Sequence, residues 1–67
     1  MAIEIYPGVT VDAEVVHGKP VISGTRISVS LVLGQLAAGV SYEELEREYG
    51  LSREQAQAAI GYAKNCG

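Results

Sequence analysis

The chain has 67 residues, room for one domain, and a domain this small buries a smaller share of its surface than a typical one. Hydrophobic residues make up 48% against 19% charged, an apolar balance that predicts contact between part of the surface and another chain. The net charge of -3, with acids gathered at Glu43, Glu44, Glu46 and Glu48, excludes the broad basic field of a free-standing DNA binder, and one cysteine, Cys66, excludes a disulfide or a CxxC metal knuckle.

No stretch approaches the length of a membrane span, and Met1 to Ile5 lacks the basic start and apolar run of a signal peptide. The expectation is a soluble, cytoplasmic protein, with Cys66 an incidental exposed thiol.

From Ile3 to Ile27 the chain is rich in β-branched residues, broken by turn formers at Pro7-Gly8, His17-Gly18 and Ser23-Gly24. This region, about 1–27, reads as short strands. The clearest pair is Glu14 to His17 against Pro20 to Ser23, joined at Gly18-Lys19, where glycine supplies the positive φ of a tight hairpin. Two short strands need a helical layer or a second chain to pack on.

From about residue 28 the period changes to about 3.6, and three helices follow. The first runs from about Val29 to Ala38 and is stopped by Gly39, as Gly50 stops the second. Ser41-Tyr42-Glu43-Glu44 and Ser52-Arg53-Glu54-Gln55 each set a capping serine three residues before Glu or Gln, so both read as capping boxes. Val40 with Leu45, and Leu51 with Ala56, hold the positions of hydrophobic staples. Two helices, Ser41 to Tyr49 and Ser52 to about Lys64, joined by Gly50-Leu51, form a helix-turn-helix pattern. The third packs through Ala56, Ala59, Ile60 and Ala63, leaving Arg53, Glu54, Gln57, Ala58, Gly61 and Lys64 facing out. The fold class is mainly α: a three-helix unit behind an N-terminal β-hairpin.

The segment His17-Gly18-Lys19-Pro20-Val21-Ile22-Ser23-Gly24-Thr25-Arg26-Ile27, with Val29 to Leu33, Leu36 to Gly39, Tyr49 to Ser52 and Ala56 to Tyr62, resembles the domain of unknown function 433 family over nearly the whole chain. That resemblance implies a homeodomain-like fold and, from many members, an antitoxin of a type II toxin-antitoxin pair. It implies a PIN-like ribonuclease as partner, and a dimer that binds the operator of its own operon. Family members often continue beyond the position of Tyr62 into a charged helical tail. Here only Ala63 to Gly67 follow, which moves the expected partner surface to the hairpin or the helical body.

His17, Lys19 and Arg26 read either as a cluster contacting nucleic acid or a partner's acidic site, or as structural residues. The structural reading is the simpler, with Arg26 tied to Asp12 or Glu14. Gly18, Pro20 and Gly24 are backbone devices, and Thr25 belongs to the same motif. No second His or Cys stands at ligand spacing to His17, so neither a metal site nor a nucleophile pair is expected, nor any cofactor.

Arg53 and Gln57 share a helix face, with Lys64 further along it, and their chemistry suits guanine and adenine edges. Glu54, Ala58 and Gly61 on that face favour a solvated surface or a protein contact instead. The glutamate run with Arg47 is a solvated face or a mate for a basic surface, and Tyr42, Tyr49 and Tyr62 fit core edges. The expected function is a non-enzymatic, antitoxin-like binding module. Its alternatives are a stand-alone homodimeric regulator and a structural homo-oligomer pairing through its hairpins.

Overall fold

A computed structural model describes residues 2–66, with side chains described as far as Asn65. The thiol of Cys66 therefore lies outside the described residues. Three strands, β1 (Ala2–Tyr6), β2 (Val9–Asp12) and β3 (Val21–Ile22), precede three helices, α1 (Val29–Ala37), α2 (Tyr42–Tyr49) and α3 (Arg53–Cys66). The strands form one antiparallel sheet in the order β1-β2-β3.

The hairpin is not the one the sequence suggests. It joins β1 to β2 across Pro7-Gly8, and β3 pairs with β2, setting Val9 opposite Ile22 and Thr10 opposite Val21. Glu14 to His17 are not a strand at all. The reason is local: the Asp12 carboxylate accepts the Glu14 N–H at 2.9 Å, and the Val15 N–H donates to the Asp12 carbonyl at 2.9 Å, turning the chain off the sheet as β2 ends. Val16, His17 and Gly18 then take left-handed φ values of 50°, 54° and 78°. Such a conformation is uncommon for His and strained for β-branched Val, costing roughly 1–3 kcal/mol per residue. It is held by N–H bonds of 3.1 Å from Gly18 to the Val15 carbonyl and from Lys19 to the Val16 carbonyl.

The outer edge of β3 is closed by the chain itself. Ile22 donates to the Ile27 carbonyl at 2.9 Å, Val29 donates to the Pro20 carbonyl at 3.0 Å, and Val21 bridges to Ser28. The open edge is β1, where Ile3 and Ile5 are 60% and 44% exposed. Ile5 falls where the register slips between Glu4 and Tyr6, a bulge in the edge strand.

The helix limits follow from their caps. Ser28 accepts the Leu31 N–H at 3.1 Å and starts α1, a cap with no Glu or Gln behind it and so no box signature in the sequence. At α3 the box is reciprocal, with Ser52 N–H donating to Gln55 Oε1 at 2.8 Å and Gln55 N–H to Ser52 Oγ at 3.2 Å. At α2 it is half made: Glu44 N–H donates to Ser41 Oγ at 3.2 Å, but the Glu44 carboxylate meets the Ser41 hydroxyl at 3.5 Å rather than its N–H. Gly50, at φ 71°, ends α2 and donates to the Glu46 carbonyl, and Leu51 plugs the core between α2 and α3.

The core unites Val9 and Ile22 of the sheet with Val29, Val32, Leu45, Leu51, Ala56 and Ala59. α3 lies against α1, α2, β2 and β3, and its small residues set how closely each can come. Ala56 and Ala59 are fully buried. Contrary to expectation, Ala58 and Gly61 do not face out, because α3 meets the hairpin as well as the other helices. A methyl placed on Gly8 would lie 2.9 Å from the Ala58 Cβ, and one placed on Gly61 would lie 2.5 Å from Tyr6 Oη. The Tyr6 ring also meets Tyr62 edge to face, with centroids 6.2 Å apart.

Two glycine substitutions separate helix propensity from this packing. Gly34→Ala, in α1 with nothing near its added methyl, is expected to raise stability by about 0.5–1 kcal/mol in urea unfolding. Gly61→Ala is expected to lose that gain and become destabilising, and Tyr6→Phe, which removes the nearest atom, is expected to restore part of it. Equal effects of the two alanines would refute the packing role of Gly61. By the same unfolding measurement Ser52→Ala should cost about 1 kcal/mol or more, and more than Ser41→Ala.

Candidate partner-binding surfaces

Register decides which side of the sheet each residue occupies. Tyr6, Val9, Val11 and Ile22 share the side that meets the helices, and Ala2, Glu4, Thr10, Asp12 and Val21 share the other. The motif residues 17–27 wrap this second side. Lys19 is exposed at the end of the left-handed turn, and Pro20 leads directly into β3. After β3 the chain reverses through Ser23-Gly24-Thr25, with Gly24 at φ 80°. The Thr25 hydroxyl donates to the Ile22 carbonyl at 2.8 Å and accepts the Ile27 N–H at 3.0 Å, so it fixes both sides of the reversal. Thr10 and Ser23 hydroxyls bond each other at 2.5 Å and tie the reversal to β2.

Between these parts lies an open groove of about 360 Å³, lined by Ala2, Thr10, Asp12, Val15 and Val21 and by Gly24, Thr25 and Arg26. Arg26 does not pair with Asp12 or Glu14 as the sequence suggests. Its side chain is exposed and has no hydrogen-bond or ion-pair partner among the described residues. Asp12 is engaged elsewhere, and the Glu14 N–H on its carboxylate holds its pKa below the usual carboxylate range. His17 is exposed on the left-handed turn and is not part of the groove lining. The groove could not be read from the sequence because it depends on the β1-β2 pairing. The alternation of Ile3 and Ile5 with Val9 and Val11 about Pro7-Gly8 was the available signal.

A second surface lies on α3. Arg53, Gln57 and Lys64 are all exposed, and at 100° per residue they fall within about 40° of one another, on a stripe about 16 Å long. The Arg53 guanidinium carbon sits 4.9 Å from the centroid of the Tyr42 ring, so stacking across the α2–α3 junction fixes the first cation of that stripe. Ala58 and Gly61 belong to the hairpin side of the helix instead. Of the other tyrosines, Tyr42 and Tyr62 pack on the core while Tyr49 is 38% exposed. Glu43, Glu44, Glu46 and Glu48 are exposed along α2.

Among the described residues no group of three or more His, Cys, Asp or Glu is placed to hold a metal, and no helix is long and apolar enough to cross a membrane.

The chain is 32% identical over 59 residues to the uncharacterized protein Rv2308 of Mycobacterium tuberculosis, a match covering 88% of this chain and 25% of that protein. The crystal structure of Rv2018, also from Mycobacterium tuberculosis, superposes with a TM-score of 0.70 at 33% identity, covering 78% of this chain and 24% of that one. This chain thus spans about a quarter of the length of each. The family described as "Protein of unknown function (DUF433)" matches residues 9–63, from the start of β2 through nearly all of α3 and including the whole of the 17–27 motif. The chain therefore belongs to the DUF433 family.

Proposed function

We propose that this protein is a non-enzymatic binding module, an antitoxin-like component of a type II toxin-antitoxin pair. In this reading it binds a PIN-like ribonuclease and, as a dimer, the operator of its own operon in the cytoplasm. α2 and α3 act as a homeodomain-like helix-turn-helix, and α3 is the recognition helix. The observation that carries the reading is the exposed Arg53, Gln57 and Lys64 stripe, whose leading arginine is held by Tyr42 across a three-residue connection. Arginine and glutamine match the major-groove edges of guanine and adenine, and Lys64 suits a phosphate. A net charge of -3 argues that the free chain binds DNA weakly and that the complex with a basic partner binds better.

A second reading, a homo-oligomer formed through the hairpin, is favoured by one observation: the β1 edge is open and carries exposed Ile3 and Ile5. It is compatible with the first, since operator binding needs a two-fold pair of helices.

Low-level expression of the tagged chain in its native host, followed by identification of what co-purifies, tests the reading. A PIN-like nuclease in near-equal amount is the expected result, and recovery of the chain alone would transfer the assignment to a self-contained regulator or oligomer. For the DNA half, Arg53→Ala and Lys64→Ala should each weaken operator binding and reduce the slope of log affinity against log salt by about 0.9 for each phosphate no longer neutralised. Unchanged affinity and slope in both variants would remove α3 from the DNA interface.

A further inference from the structure

The sheet has a single free edge, that of β1. On the far side the chain closes β3 itself, with Ile22 N–H donating to the Ile27 carbonyl and Val21 bridging to Ser28. A second copy can therefore extend this sheet only by laying its own β1 against this one, so pairing between copies stops at two and does not run on as a fibre. Ile3 and Ile5, the most exposed large hydrophobic side chains among the described residues, lie on that same strand.

The ladder fixes which backbone groups the edge offers. Ile22 turns its N–H away from β2, and Ser23 N–H donates to the Gly8 carbonyl at 2.9 Å, so Val9, opposite Ile22, directs its groups to β1. Alternation along β2 then sends the groups of Thr10 to β3 and those of Val11 to β1, where Ile3 is the partner. Ile3 is thus bonded inward, and Ala2 and Glu4 on either side of it present their N–H and C=O groups at the open edge.

A symmetric antiparallel pair must match outward residues with outward residues. Centred on Ile3, it sets Ala2 of each copy opposite Glu4 of the other, a bonded pair on each side of the axis. The two Ile3 side chains then meet at a non-hydrogen-bonded position, on the helix side of the sheet beside Val11. Centred on Glu4, it makes a bonded pair at the axis alone, because Tyr6, the next match for Ala2, turns its groups to Val9 beyond the bulge. That register also sets the only charges of the strand, the two Glu4 carboxylates, opposite each other.

We propose that two copies pair antiparallel along β1 about a two-fold axis at Ile3, joining their sheets into a closed dimer of strand order β3-β2-β1-β1-β2-β3. Such an axis stands perpendicular to the sheet, so the helices of both copies lie on one side, the disposition an operator-binding pair of α3 helices needs. The inference deepens the reading of a homo-oligomer formed through the hairpin and rests on it. Its test reads the register, so a hairpin-mediated oligomer in another register is a separate result.

The full chain is first weighed by sedimentation equilibrium over a range of concentrations. Ile3→Cys, Ala2→Cys and Glu4→Cys, each combined with Cys66→Ser, are then equilibrated with oxidised and reduced glutathione. In the proposed register the two Ile3 Cα atoms stand about 4.5 Å apart, within disulfide range, whereas the two Ala2 or the two Glu4 Cα atoms are about 9 Å apart, beyond it. The expected result is a dimer of the unaltered chain, and at least about tenfold more covalent dimer from Ile3→Cys than from either neighbour. Ile3→Lys, an exposed change whose fold is checked by circular dichroism, should weaken the dimer at least about tenfold. A chain that stays monomeric, or a dimer that Ile3→Lys leaves undiminished, overturns both the inference and the hairpin reading. A dimer that Ile3→Lys weakens but that Ala2→Cys or Glu4→Cys links as well as Ile3→Cys overturns the register alone, and assembly beyond two copies overturns the closed pair.

Discussion

Close approach to α3 is the constraint on which the rest of the structure depends. A helix of ordinary side chains is kept 8–10 Å from its neighbours, and one that must accept helices on one side and a hairpin on another needs small residues on both. Ala56 and Ala59 meet the helical core, and Ala58 and Gly61 receive the hairpin turn and the Tyr6 ring. Because those residues are spent inward, the exposed stripe of α3 is left with Arg53, Gln57 and Lys64. The same packing that makes so small a core continuous thus defines the surface available for recognition. Gly8 is the counterpart on the sheet, where a positive φ and contact with Ala58 coincide at one turn.

How much was legible in the sequence tracks how local each signal is. The serine boxes, the glycines past α1 and α2 and the 3.6-residue period placed all three helices to within a residue or two, since capping and periodicity act within one or two turns. Strand pairing is not local in that sense. Val15, Val16, Val21 and Ile22 have the composition of a hairpin about Gly18-Lys19. The Asx turn at Asp12 and the left-handed run at Val16 to Gly18 nevertheless take the first pair out of the sheet and give Val21 and Ile22 to β2. The outward reading of Ala58 and Gly61 and the pairing of Arg26 with Asp12 failed for the same reason, because both depend on where the hairpin lies. Arg53, Gln57 and Lys64 were legible as one face because a single helix places them. The groove required three segments to be assembled first.

The charge distribution fits a division of labour between the two sides of the molecule. Helix α2 carries four exposed glutamates beside the stripe proposed for DNA, so phosphate attraction from this chain alone is small. Stacking on Tyr42 reduces the freedom Arg53 must give up on binding, and that partly offsets the weak long-range field. The stripe therefore sets one fixed cation, Arg53, in an unfavourable general field, an arrangement that favours selectivity over affinity.

The sheet also keeps the groove and the stripe apart. The helices cover one side, the groove lies on the other, and the α3 stripe borders the face that receives the hairpin, since Gly61 stands one turn from both Gln57 and Lys64. The hairpin and α3 are joined mechanically, because β1 ends in Tyr6, whose ring rests on Gly61 and Tyr62. A second copy pairing on the open edge of β1 would therefore bear on the seat of the hairpin on α3. Since the hairpin covers the side of α3 that carries Ala58 and Gly61, any shift of β1 would be felt by the helix that carries Arg53, Gln57 and Lys64.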